Sequence, residues 1–221
     1  MFVRHRMSSP AITIGPDMPV MDAMQLMKQR NVRRLPVVGH GGKLLGIVSE
    51  KDLLHAAPSD ATSLSIFELT YLLNRLTVDK VMTRDVTTVS EDTPLEHAAR
   101  IMAERHLGGL PVVDESGNVV GIVTETDLLL GFSEALGAFE PGVRVMLEAP
   151  DEPGVLAGIA NKIQALGGNI ASLLVLRSRR PEAGYILAKV QGVRPGQLAD
   201  TLNDGRILVL DVRDMPRGDV D

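Results

Sequence analysis

Two kinds of apolar pattern alternate along the first half of the chain. Short apolar runs, Ile12 and Ile14, Leu35 to Val38 and Leu44 to Val48, predict strands. Between the first two runs, Met21, Met24 and Met27 recur at helical spacing after Pro19, whose missing N–H costs nothing at a helix start. His40-Gly41-Gly42 predicts a tight turn that makes the last two strands a hairpin, and Ser49 offers a hydroxyl to cap a second helix. The predicted order is strand, helix, strand, strand, helix. Met18, Met21, Met24 and Met27 form a stripe that predicts a core face, with an adaptable partner surface as the alternative.

The same order recurs 75 residues later. Residues 7–54 fall on residues 82–129 without a gap, and 19 of the 48 positions are identical. Chance gives roughly three, so this is a true internal repeat. Leu35-Pro36-Val37-Val38 returns as Leu110-Pro111-Val112-Val113, Gly46-Ile47-Val48 as Gly121-Ile122-Val123, and Asp52-Leu53-Leu54 as Asp127-Leu128-Leu129. In the second copy Val86 and Val89 mark the first strand, and Ala98, Ile101 and Met102 mark the helix after Pro94. The repeats are expected over residues 1–56 and 78–138. Between them, residues 57–77 carry Leu64, Phe67, Leu69, Leu72, Leu73 and Leu76, an amphipathic pattern. It reads either as a linker helix on its own subunit or as a dimer or partner surface.

Beyond residue 138 the repeat stops. Strands are expected at residues 143–149, 170–176, 185–190 and 207–212, with helices at 155–166, ended by Gly167-Gly168, and at 195–202. That order, βαββαβ over residues 142–215, is the ferredoxin-like arrangement, and the whole chain reads as α+β.

Composition narrows the chemistry. The 221 residues are 44% apolar and 23% charged, an ordinary globular balance. Four Phe, two Tyr and no Trp leave too few aromatic faces for a nucleic-acid stacking platform. The absence of Cys excludes thiolate nucleophiles, zinc fingers and iron–sulfur clusters. A net charge of −5 disfavours nucleic acid and anionic lipid as partners. No signal peptide and no membrane span are legible, so a cytoplasmic protein is expected.

The most informative segment is Gly46-Ile47-Val48-Ser49-Glu50-Lys51-Asp52, repeated as Gly121-Ile122-Val123-Thr124-Glu125-Thr126-Asp127. A Ser or Thr at a helix start offers a hydroxyl and free amides to a phosphate, and an Asp one turn on can hold two vicinal ribose hydroxyls. The alternative is that Ser49 and Thr124 are caps, with Asp52 and Asp127 complementing the helix dipole. Present twice within this repeat, the pattern resembles the CBS domain pair, the Bateman module. That resemblance covers residues 3–130 and implies clefts that bind AMP, ADP, ATP or S-adenosylmethionine as a regulatory ligand. It implies that Ser49 and Thr124 meet phosphate and that Asp52 and Asp127 meet ribose. It also implies that Val32, Arg33 and Arg34, and Leu107, Gly108 and Gly109, line the clefts. The copies differ there: Arg33 and Arg34 could fork onto phosphate or be plain surface charges, whereas Gly108 and Gly109 allow only close backbone approach.

Asp151-Glu152-Pro153-Gly154-Val155-Leu156 followed by Gly167-Gly168-Asn169-Ile170 resembles the ACT domain. This implies a regulatory module that pairs with another copy, with Gly154, Val155, Leu156 and Asn169 lining an amino-acid site. The plain alternative is that Pro153 starts a helix and Gly167 stops it. The order CBS, CBS, ACT is similar to that of the acetoin-utilisation protein AcuB family. A homodimer follows from the same resemblance, since paired CBS modules associate into discs.

Catalytic motifs are missing: no Gly-x-Ser-x-Gly, Walker loop, Gly-x-Gly-x-x-Gly or His-Glu-x-x-His occurs. His5, His40, His55, His97 and His106 are scattered, with no metal-ligand spacing. The expectation is a non-enzymatic, metal-free sensor of adenine nucleotides that signals to a dimer or a target enzyme. A nucleotide hydrolase and a purely structural adaptor are the competing readings.

Overall fold

The computed structural model describes residues 1–56, 76–177 and 182–216. Two units divide the chain at residues 128 and 129. The first holds α1 (Val20–Arg30), β1 (Arg34–Val38), β2 (Leu44–Ser49), α2 (Glu50–Ala56), α3 (Leu95–Arg105), β3 (Gly109–Val113), β4 (Val119–Thr124) and the start of α4 (Glu125–Ala135). Pro19 and Pro94 are the N-caps of α1 and α3, as the sequence predicts. Both helices end on a left-handed residue, Asn31 (φ 53°) and His106 (φ 54°), whose amides close onto carbonyls of the last turn.

The hairpins form as expected, β1 with β2 and β3 with β4, in the same antiparallel register. The strand predicted ahead of each first helix does not form. Ile14 and Val89 each make a single parallel bridge, to Val37 and Val112. Ile14 donates its N–H to the Pro36 carbonyl at 3.1 Å, and Val38 donates back to Ile14 at 2.8 Å. The next bond of that ladder would need an N–H at position 36, which proline lacks. Pro111 stops the Val89 segment in the same way.

The methionine stripe is only partly core. Val20, Ala23 and Met27 are the buried positions of α1; Met18 and Met24 pack beside them, and Met21 is 42% exposed. Leu95, Ala98 and Met102 bury the matching face of α3. Fully buried Leu35, Leu53 and Leu110 complete these cores, each contributing about 1.5–3 kcal/mol of burial.

The two repeats exchange their leading segments. Val3 belongs to the core of the second repeat, with Leu110 and Val123, whereas Val78 and Met82 belong to the core of the first. Ser8 bridges Ile122 through two backbone bonds of 2.9 and 3.0 Å, and Thr83 bridges Ile47 through two of 2.9 Å. Gly46 and Gly121 let these crossings pass. A Cβ on Gly46 would lie 2.8 Å from the Thr83 carbonyl oxygen, and one on Gly121 3.0 Å from that of Ser8. Of the expected insert helix, residues 57–75 lie outside the described residues; Leu76 packs on the first core and its carbonyl accepts the Val20 N–H.

The second unit holds β5 (Gly142–Pro150), α5 (Val155–Ala165), β6 (Asn169–Arg177), β7 (Ala183–Gln191), α6 (Pro195–Leu202) and β8 (Leu208–Met215), the predicted βαββαβ succession. The sheet runs β6-β7-β5-β8 with every pair antiparallel. Alternate residues of β5, Val143, Val145, Leu147 and Ala149, bury against Ile159 and Ile163 of α5 and Leu198 and Leu202 of α6. The 136–141 connector is fastened to this sheet: the buried Lys189 ammonium donates to the Gly137 and Glu140 carbonyls at 2.7 and 2.8 Å.

Candidate ligand cleft

The turn from β2 into α2 is locked by its own side chains. Ser49 Oγ accepts the Asp52 N–H at 3.3 Å, while Asp52 Oδ2 accepts the Ser49 N–H at 2.8 Å and its hydroxyl at 2.6 Å. Thr124 and Asp127 repeat this at 3.4, 2.8 and 2.7 Å. Both are reciprocal capping boxes with Asp in the third helical position. The hydroxyl and amide expected to face a phosphate donate instead to a carboxylate.

Around the first of these turns opens a cleft of about 460 Å³. The first repeat supplies Arg33, Arg34, Ser49 and Asp52; the second supplies Thr83 to Thr87, except Arg84, and His106 to Gly109. The exchange of leading segments is what brings these parts together, because Thr83 is held on β2 beside Ser49. Arg34 reaches across from one repeat to the other and donates Nη1 to the Gly108 carbonyl. A Cβ at Gly109 would lie 3.1 Å from Arg34 Cδ, and one at Gly108 would run into the guanidinium itself. The close backbone approach expected of the two glycines is therefore made by Arg34. Burial pulls the Arg34 pKa below its ordinary value, opposed by the charge of Glu125.

The other predicted residues fall elsewhere. Val32 lines a separate cavity of about 680 Å³ with Met21, Met24 and Arg33. Thr124 and Asp127 do not line the 460 Å³ cleft. In the second unit, Gly154 and Val155 line a cavity of about 350 Å³ with Glu152, Lys162, Asp204 and Arg206, and neither Leu156 nor Asn169 reaches it. Its charges are paired: Lys162 with Asp204 at 2.6 Å and Arg206 with Glu152 at 2.8 Å. The Lys162 hydrogen bond, helped by the Ile207 and Arg206 amides, holds the Asp204 carboxyl down at about 2.

Sequence reasoning missed Ile47, Glu50, Lys51, Thr83, Asp85, Val86, Thr87, His106 and Glu125 as cleft residues. Residues 83–87 reach the turn at Ser49 only through the exchange of leading segments, for which the sequence carries no periodic signal. Among the described residues, no helix is long and apolar enough to cross a membrane, and no group of three carboxylates or imidazoles is placed to hold a metal ion.

Known proteins share the first unit. The CBS domain matches residues 3–59 and 78–134. The L-aspartate semialdehyde sulfurtransferase of Methanocaldococcus jannaschii is 34% identical over 126 residues, which are 57% of this chain and 22% of that enzyme. A CBS domain-containing protein of Dictyostelium discoideum is 32% identical over 58% of this chain and 88% of its own length. Among solved structures, the CBS domain pair of protein MJ0100, in complex with 5′-methylthioadenosine and S-adenosyl-L-methionine, is 33% identical with a TM-score of 0.51. It covers 61% of this chain and 97% of that one. CBSX2 in complex with AMP is 30% identical with a TM-score of 0.51 and covers 60% of this chain and 96% of its own. A Vibrio cholerae protein assigned to acetoin utilization (AcuB) is 30% identical with a TM-score of 0.52, covering 62% of this chain and 96% of its own. With the tandem match taking in more than half of its residues, this chain belongs to the CBS domain family.

Proposed function

We propose that the chain is a non-enzymatic regulatory protein of the cytoplasm that binds an adenine nucleotide in the cleft between its CBS repeats. The occupied cleft favours one arrangement of the repeats and signals to a homodimer formed through the C-terminal domain or to a target enzyme. One observation carries this reading: the cleft is assembled from both repeats, Ser49 and Asp52 on one side and Thr83, Thr87 and His106 on the other. A ligand that fills it touches both, and so has differential affinity for their arrangements, the condition for a population shift. Ile47, Val86 and Leu107 supply apolar walls for a purine, and Asp52 is the acceptor for the ribose hydroxyls. The methylthioadenosine, S-adenosylmethionine and AMP held by the MJ0100 pair and CBSX2 support an adenosine ligand.

The βαββαβ order and the β6-β7-β5-β8 sheet support reading the second unit as a ferredoxin-like ACT domain that pairs with its copy. Calorimetric titration of the nucleotide-stripped full chain with AMP, joined to amide exchange, tests the proposal. Saturable micromolar binding with new protection at residues 83–87 and 106–109 is expected. Silence toward AMP, ADP, ATP and S-adenosylmethionine would overturn it and favour a structural adaptor.

A further inference from the structure

The charges around the cleft do not suit a polyanion. Four carboxylates line it, Glu50, Asp52, Asp85 and Glu125, against three fixed cations, Arg33, Arg34 and Lys51. The donors best placed for a phosphate are already engaged. Ser49 gives both its N–H and its hydroxyl to Asp52 Oδ2, and Arg34 gives Nη1 to the Gly108 carbonyl while facing the charge of Glu125. The first turn of α2 presents Glu50 and Asp52, so its amides are screened by carboxylates. Resting on the reading of the cleft as an adenosine site, we infer that it selects adenosine ligands with short or uncharged 5′ tails over nucleoside polyphosphates.

Each added phosphate brings negative charge toward four carboxylates, of which Glu50, Asp85 and Glu125 are exposed, so the repulsion is one that salt screens. Arg33 and Lys51, both exposed, are the cations left to receive one phosphate. Metal-free titration of the full chain with 5′-methylthioadenosine, AMP and ATP at mildly alkaline pH tests the inference. ATP is expected to bind at least about tenfold more weakly than AMP at low salt, with the gap narrowing as salt rises. In the double variant Asp85→Asn, Glu125→Gln, checked for an unchanged unfolding midpoint, the AMP-to-ATP ratio is expected to fall several-fold. ATP binding as tightly as AMP or methylthioadenosine, or a ratio unmoved by the double variant, would overturn the selectivity while leaving the sensor intact. Failure of all three ligands to bind would overturn the sensor reading and this inference with it.

Discussion

The two CBS repeats share their hairpins, their helix starts and their capping boxes, yet they part where the chain enters β1 and β3. Arg33-Arg34 stands in one, and Gly108-Gly109 in the other. These pairs meet, and the single guanidinium of Arg34 occupies the ground that side chains from both copies would contest. The repeated scaffold thus carries different residues where the two copies meet. The backbone turn at Ser49 and Asp52 is the one that opens on the 460 Å³ cleft, although Thr124 and Asp127 reproduce it bond for bond.

The largest way to disturb this comparison is to fill the crossings that both repeats share. Gly46→Ala is expected to destabilise the chain by about 1–3 kcal/mol, because the new Cβ meets backbone as well as the Met82 side chain. Gly121→Ala is expected to cost less, since its nearest backbone oxygen is farther away, at 3.0 against 2.8 Å. Denaturant unfolding of the two variants would show the order; a neutral Gly46→Ala would mean the crossing is looser than described. A smaller effect separates the copies. Gly108→Ala is expected to cost about 1 kcal/mol by displacing Arg34, and the cost should vanish when Arg34→Ala is added. Additive losses in that double-mutant cycle would show that Arg34 and Gly108 do not oppose one another.

Much of the scaffold is legible in the sequence because it rests on local chemistry. Pro19 and Pro94 start helices, the Leu-Pro-Val-Val runs are strands, and Ser49 and Thr124 cap α2 and α4, all decided within a few residues. The absent first strands were within reach too, since the proline of Leu-Pro-Val-Val removes the N–H that a longer parallel ladder needs. The exchange of leading segments was not. Val3 and Val78 lie in three-residue turns of 3₁₀ helix with no periodicity to show which core they enter. The candidate site depends on that exchange, which is why Ser49, Asp52, Gly108 and Gly109 were found and Asp85, Thr87 and His106 were not. Helical spacing placed the methionines on α1 but misjudged the core stripe, because Val20 and Ala23 face inward where Met21 and Met24 were expected to lead.

The central proposal is that the ligand sits in the cleft at Asp52, which Asp127 does not line. It is tested most directly by titrating AMP into the full chain, Asp52→Asn and Asp127→Asn side by side. Asparagine keeps an oxygen for the capping box and removes the charge that would grip the ribose. The account predicts that Asp52→Asn weakens AMP binding at least about tenfold, the loss of roughly one charge-assisted hydrogen bond, while Asp127→Asn leaves it within about twofold. Binding lost in Asp127→Asn and kept in Asp52→Asn would contradict it.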